Sequence, residues 1–464
     1  MQIPLQEIEF LSLSADPSGR IFRWKNGIYR GITAKRAEFY REVSGRATIK
    51  KLISDGRLID TEITGLVLDG YELVLKHRPL PVVSSPYEWC FQAFKDAALL
   101  VLDIQEALID EGLALYDPDP WNVVFDGCRP VYVDFCSIRP IDESRGWVDS
   151  WDEYLTFLEL FSNPRLLMAE GQGRIVRIGL QGRSLDVLRT DVALPGETPA
   201  KVLKRKLKNI LLPILGNRVV SVLRSYLKVQ RTVTRKARDP QLVRSLTRKV
   251  LAFELPAMHT QWSDYYESFP DFSQSDEWDD KQRSVHEVIS RRRPRSVLDI
   301  GCNRGWYAQM AAALGSTVVA FDYDEVCVNR LYKEARKRNA AVHPVVMDVL
   351  DPSPAVTCLY GQVLGSAVER LKCEMVLALA IVHHLVFGRG RKFDQIAAAL
   401  GAFAEKYLVV EFISKEDEVV KAWWTADCDW YTIEGFEKAL GHHFRSIERR
   451  PSYPDTRTLL VCKR

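Results

Sequence analysis

The sequence has no CxxC pair. Its nine cysteines are scattered at 90, 128, 136, 302, 327, 358, 373, 428 and 462, a spacing that indicates neither a zinc site nor a disulfide framework. Reduced, mostly buried thiols in a cytoplasmic protein are expected. There is also no uninterrupted apolar run of roughly 18 residues, so no spanning helix is expected. The opening MQIPLQEIEF carries acids and lacks the basic-then-apolar order of a secretory leader, which argues against export by a cleaved peptide. Fixed-period repeats and low-complexity tracts are missing. Apolar residues make up 47% and charged residues 27% of 464 positions. That composition is ordinary for globular protein and excludes wholesale disorder and fibrous repeats, while the length suggests two or three domains.

The formal net charge of +3 hides an asymmetry. Residues 201–250 hold fifteen Lys or Arg and one acid, Asp239, so this stretch is +14 and the remainder sums to −11. Mixed Leu, Ile and Val make it readable as basic helices broken at Pro213 and Gly216. Such helices can lie on an anionic membrane surface, placing the protein at the inner membrane face. Nucleic acid or an acidic glycan are the other partners of such charge, and a solvated linker against acidic domain surfaces is the plain alternative.

Residues 1–75 read as short strands with a helix over 34–54 that Gly45 weakens. RIFRW and IYRGI flank Lys25, Asn26 and Gly27, a three-residue hairpin loop. Apolar residues from Trp89 to Leu113 recur near every 3.6 positions, which predicts a helix over 86–115. VVF (123–125) and VYVDF (131–135), split by Asp126-Gly127, predict a hairpin. From 256 onward SVLDI, TVVAF, AVHPVVM, MVLAL, YLVVEF and TLLVCK alternate with helices, which predicts a mainly parallel, doubly wound α/β sheet.

Within that region Val297-Leu-Asp299-Ile-Gly301-Cys-Asn-Arg-Gly305 runs from a strand through two glycines into a helix. Glycine lets backbone pass close to a ligand. The next strand ends in Asp322, where a carboxylate can accept hydrogen bonds from ribose hydroxyls. The third ends in Asp348-Val349, and the fourth in Ala380 followed by His383 and His384. This order resembles the motifs of class I S-adenosylmethionine-dependent methyltransferases over residues 285–464. The resemblance implies that Asp299, Gly301 and Gly305 shape the methionine end of a cofactor pocket. It implies ribose at Asp322, adenine at Asp348 and Val349, and the sulfonium beside Ala380. A hydroxyl acceptor benefits from a base, for which His383, His384 and Glu411, at the end of strand five, are candidates. Trp423, Trp424 and Trp430 could wall an acceptor site or pack in a core, and the stretch from Trp262 to Tyr266 could cover the cofactor.

A second constellation is Asp117-x4-Asn122, followed by Val131-Tyr-Val-Asp134-Phe. It resembles the catalytic and metal loops of the protein-kinase-like fold, the aminoglycoside-phosphotransferase branch in particular. The resemblance implies Asp117 as acceptor of a hydroxyl proton and Asn122 and Asp134 as magnesium ligands beside ATP. The sequence departs from that branch at Leu115, where histidine is usual. It has no glycine-rich phosphate loop, and Arg30 stands where the small-lobe lysine is expected, with Glu38 or Glu42 as its partner. A retired fold that binds acceptor or a regulator is therefore weighed equally with an active kinase.

The whole chain looks like the nodulation host-specificity type of bacterial methyltransferase, with SPYEW at 85–89 and an HHL segment. Its pairing of domains is similar in architecture to kinase–methyltransferases that cap O-antigen chains. The expectation is an N-terminal α+β kinase-like domain at 1–195 (small lobe 1–75, large lobe 76–195), a basic helical linker at 196–255 and a C-terminal Rossmann-like methyltransferase at 256–464. The expected reaction is methyl transfer to a hydroxyl or phosphate of a sugar-containing acceptor. The alternatives are a bifunctional kinase–methyltransferase and a methyltransferase with an N-terminal binding module.

Overall fold

The structure, a computed structural model, describes residues 1–11, 18–141, 161, 164, 167–168, 173–182, 240–252, 254–255, 258–265, 269, 271–357 and 363–464. In the N-terminal part, β1 (Ile8–Phe10), β2 (Gly19–Trp24), β3 (Gly27–Ile32), β4 (Thr61–Ile63) and β5 (Leu73–His77) form an antiparallel sheet in the order β1-β2-β3-β5-β4. The β2–β3 turn is one residue tighter than expected. Trp24 pairs with Gly27, so Lys25 and Asn26 alone make the turn, with Lys25 at φ 52°. The expected helix over 34–54 is two helices, α1 (Ala34–Gly45) and α2 (Ala47–Ser54), separated by the extended Arg46. Gly45 offers no side-chain packing and favours this break.

The helix expected over 86–115 is shorter. Ser85 N–H donates to Glu88 Oε2 at 2.6 Å and holds a tight turn at Pro86–Glu88, so α3 begins later and runs Phe91–Ile109. Gly112 at φ +69° reverses the chain, and β6 (Leu113–Leu115) pairs instead with β9 (Ile138–Pro140). β7 (Val123–Asp126) and β8 (Arg129–Tyr132) form the expected hairpin. Helix α4 (Gly173–Gly182) follows, then α5 (Pro240–Leu251). Val243, Leu246 and Val250 of α5 are buried in the core that holds α3, and Arg244 Nε meets Glu106 Oε1 at 2.7 Å. The end of the basic stretch is thus packed protein. Residues 201–239, with Pro213 and Gly216, lie outside the described residues.

The C-terminal part runs α6 (Asp280–Arg292), β10 (Ser296–Ile300), α7 (Trp306–Ala313), β11 (Thr317–Asp322), α8 (Glu325–Arg338), β12 (Val342–Val346), a small hairpin of β13 (Val356–Thr357) and β14 (Val363–Leu364), β15 (Cys373–Ala378), α9 (Phe393–Phe403), β16 (Ala404–Ile413), α10 (Ile433–Gly441), β17 (Ser446–Pro451) and β18 (Arg457–Lys463). Its seven-stranded sheet has the order β12-β11-β10-β15-β16-β18-β17. All neighbours from β12 to β16 are parallel, and β18 is antiparallel to both its neighbours. Every residue of β12 and β15 is buried. Covered on both faces, such strands read as continuous apolar runs.

The two parts share one hydrophobic core across α3 and α8. The Tyr332 hydroxyl lies 2.8 Å from Asp96 Oδ2 and 2.9 Å from the Cys128 carbonyl, and Arg336 pairs with Asp96. His343 Nε2 lies 2.9 Å from Ser84 Oγ. Among the described residues all cysteines are free, and no helix is long and apolar enough to cross a membrane.

Candidate functional site

Strand order reverses between β10 and β15, and a crevice opens outside their carboxyl ends, as such sheets require. A cavity of about 520 Å³ fills it, a size typical of small-molecule sites. Gly301 (φ +70°) turns the chain out of β10. A Cβ there would come 2.5 Å from Ile381 Cγ2, so only glycine lets the two strand ends meet. Ala380, at the tip of β15, holds the left-handed conformation at φ 55° without being glycine and lines the cavity. Such strain concentrates at ligand sites.

One end of the cavity is acidic. Asp322 closes β11, with Oδ2 accepting from Asn303 N at 2.9 Å and Oδ1 from Asp324 N at 2.9 Å. Burial, partly offset by these amides, raises its pKa to about 6. Asp348 and Val349 follow β12 and also line the cavity. Asp348 Oδ1 accepts from Leu350 N at 2.9 Å, and Oδ2 meets Arg389 Nη2 at 2.5 Å. Asp324, two residues beyond the ribose candidate, caps α8 through Val326 N and Cys327 N.

The other end is aromatic. His383 and His384 lie 4.0 Å apart between ring centroids, and Trp423 stacks near His383 at 6.0 Å and 21°. His383 is 3% exposed, and its Nδ1 is buried without a partner. Burial first, then His384 and Arg457, lower its pKa to about 3. It is a neutral imidazole throughout the physiological range. Trp262 roofs the cavity, its ring 4.8 Å from His384 and its Nε1 donating to Tyr323 Oη at 2.7 Å. Of the three clustered tryptophans only Trp423 lines the cavity. Trp430 packs on Phe393, and Trp424 Nε1 donates to the Cys428 carbonyl at 3.2 Å.

Gly301, Asp322, Asp348, Val349, Ala380, His383 and His384 therefore converge on one cavity, whereas Asp299, Gly305 and Glu411 do not line it. Glu411 is corrected as a base. Its carboxylate is wholly buried, meets Lys281 Nζ at 2.7 Å and accepts from Ser452 Oγ at 2.6 Å. Gly305 (φ +70°) serves packing. A Cβ there would lie 2.5 Å from Leu331 Cδ1, so glycine lets α7 rest on α8. Asp299 sits just behind the cavity in β10, with Oδ2 buried and unpartnered. Burial, then the Asp322 charge, push its pKa to about 7. Arg457 and Tyr265 also line the cavity. Sequence reasoning missed Arg457, because an arginine opening the last strand carries no local signal.

In the N-terminal part Asn122 Nδ2 donates to the Asp117 carbonyl at 3.0 Å and ties that loop closed. Asp134 Oδ1 accepts from Arg30 Nη1 at 2.5 Å. The partner of Arg30 is thus this aspartate; Glu38 pairs with Arg41 and Glu42 with Arg46. No cluster of three acidic, histidine or cysteine ligands suited to a metal occurs among the described residues.

No family model matches the chain. It is 27% identical over 468 residues to nodulation protein NoeA of Rhizobium meliloti (strain 1021), covering 97% of this chain and 94% of that protein. It is 24% identical over 129 residues to the O-antigen chain terminator bifunctional methyltransferase/kinase WbdD of Escherichia coli, covering 27% of this chain and 16% of that one. Among solved structures, monomeric WbdD matches 42% of this chain and 44% of its own at 17% identity, with a TM-score of 0.30. Magnesium protoporphyrin IX methyltransferase of Synechocystis PCC 6803 with bound SAH matches 44% and 97% at 16% identity, with a TM-score of 0.31. The chain is thus similar to NoeA over nearly its whole length.

Proposed function

We propose that the chain transfers a methyl group from S-adenosylmethionine to a hydroxyl or phosphate of a sugar-containing acceptor. The observation that carries this reading is one cavity with an acidic end at Asp322 and Asp348 and an aromatic end at His383, His384 and Trp423. The residues fit the cofactor: Asp322 offers carboxylate oxygens at the cavity wall, Gly301 leaves room for backbone approach, and Val349 is an apolar wall. Asp348, matched by Arg389, keeps acceptor capacity for an amine. When bound, S-adenosylmethionine supplies an electrophilic methyl group on a sulfonium. The chain's own contribution is alignment and exclusion of water. Trp262 covers the cavity, and the neutral imidazole of His383, which lines it, can accept a hydrogen bond from an acceptor hydroxyl. The face of Trp423, 41% exposed, suits a sugar ring. The O-antigen role in the name of WbdD supports the same acceptor class.

The N-terminal part is read as a kinase-like domain that serves as a docked binding module. Arg30 neutralises Asp134, so the residues do not fit a magnesium ion as they stand. The bifunctional alternative requires that ion pair to open. The methyl-transfer reading is tested by incubating the purified chain with labelled S-adenosylmethionine and cell-envelope glycans. Label should enter the glycan with wild type and not with Asp322→Ala. Labelled protein or RNA, with unlabelled glycan, would sink the acceptor class.

A further inference from the structure

Arg457 opens β18 opposite Ile413, the last residue of β16. Its Nε donates to Asp417 Oδ2 at 2.8 Å, and Nη2 lies 3.5 Å from Oδ1. Thr456 Oγ1 donates to the same Oδ2 at 2.8 Å, and Val419 N donates to Oδ1 at 3.0 Å. Asp417 is buried and fully engaged. It fixes the guanidinium by one edge, while Nη1 makes no hydrogen bond to any described residue.

Position separates this arginine from the cofactor residues proposed above, which sit on β10, β11, β12 and β15. Arg457 is on β18, two strands beyond β15, or about 10 Å at the usual strand spacing. The other guanidinium of the cavity, Arg389, is matched by Asp348. Ile413, Val419, Trp423, Tyr265 and the neutral His383 line the cavity with Arg457. A planar guanidinium held by one edge in such a wall is built to grip an oxyanion. The His383 and Trp423 rings, stacked at 6.0 Å, both line the cavity.

We infer that Arg457 seats an oxyanion of the acceptor, a carboxylate or phosphate borne by a sugar ring that lies on Trp423. The inference rests on the methyltransferase reading and names its acceptor chemistry. The test uses the full chain saturated with S-adenosylhomocysteine. Glucuronate, glucose 6-phosphate and glucose are titrated in parallel by calorimetry. One of the two anions is expected to bind and glucose is not, which separates carboxylate from phosphate. Arg457→Gln should weaken the anion tenfold or more and leave S-adenosylhomocysteine affinity within about twofold. Arg457→Lys, which keeps a cation beside Asp417 and guards against misfolding, should also lose most anion affinity, because an ammonium cannot serve both partners. Anions that bind no better than glucose, or variants that bind them like wild type, overturn the inference. So does a parallel fall in S-adenosylhomocysteine affinity, which would assign Arg457 to the cofactor. A wild-type chain that binds no S-adenosylhomocysteine removes the methyltransferase reading itself.

Discussion

Arg370 reaches from the C-terminal part to Glu88 of the N-terminal part, Nη2 to Oε1 at 2.5 Å, with both side chains buried. Arg370 Nη1 also donates to the Val83 carbonyl at 2.5 Å, and Glu88 Oε2 accepts from Ser85 N. The SPYEW turn is therefore locked onto the C-terminal part. Removing one partner of a buried pair leaves an uncompensated charge and costs about 3–5 kcal/mol. Arg370→Ala should lower the urea midpoint accordingly. Because the core is shared, intrinsic tryptophan fluorescence and far-UV dichroism should report one coincident transition. Two separated transitions in the wild type would show that the parts unfold independently.

Asp322 should dominate cofactor affinity. Two hydrogen bonds to a charged carboxylate contribute roughly 1.5–3 kcal/mol each, so Asp322→Ala should weaken S-adenosylhomocysteine by at least about 100-fold in calorimetry. Asp348→Ala should lose less, because Arg389 already neutralises its charge, whereas Asp322 is bonded to uncharged amides. Equal affinity of Asp322→Ala and wild type would remove the ribose assignment. Gly301→Ala should abolish binding by driving Ile381 into the cavity.

Asp299 makes stability depend on pH in an uncommon direction. Its folded pKa is about 7, against an unfolded value near 3.8. Between those values the folded state binds more protons than the unfolded one, so stability falls as pH rises through that window, by up to about 1.4 kcal/mol per unit. Asp322, raised to about 6, acts in the same direction. His343 and His383, lowered to about 4 and about 3, act oppositely, because the unfolded state takes up protons below its own pKa near 6.5. The difference between Asp299→Asn and wild type isolates the aspartate. The variant's Tm advantage should grow from pH 5 to pH 8. A constant difference would mean that Asp299 is ionised throughout.

The C-terminal strands were legible because both faces are buried and each reads as an apolar run. β17 was not, since SIERRP is a largely exposed edge strand whose conformation comes from pairing with β18. Gly301, Asp322 and Asp348 were legible because each ends its own strand, a local feature. Arg457, Asp417 and Cys128 meet their partners only through tertiary pairing. Glu411 was misread for the same reason: its position at a strand end gives no sign of Lys281, 130 residues earlier. The Asp117-Asn122 loop was legible as a unit, whereas the closing of Arg30 on Asp134 joins positions 104 apart.

That last ion pair governs the N-terminal prediction. A magnesium ion and the Arg30 guanidinium would compete for the Asp134 carboxylate, and the guanidinium is already in place, its side chain 6% exposed. Dehydrating magnesium is reluctant, and breaking the part-buried Arg30–Asp134 ion pair costs several kcal/mol. Titration of ATP with magnesium into the full chain should therefore give no saturable heat. Asp134→Asn should change this little, while destabilising the N-terminal sheet by about 1.5–3 kcal/mol through the lost charge. The opposite outcome, magnesium-dependent ATP binding that disappears in Asp134→Asn, would show that the pair opens on nucleotide arrival. The bifunctional kinase–methyltransferase reading would then replace the binding module, and Asp117 would become the residue to test for proton acceptance.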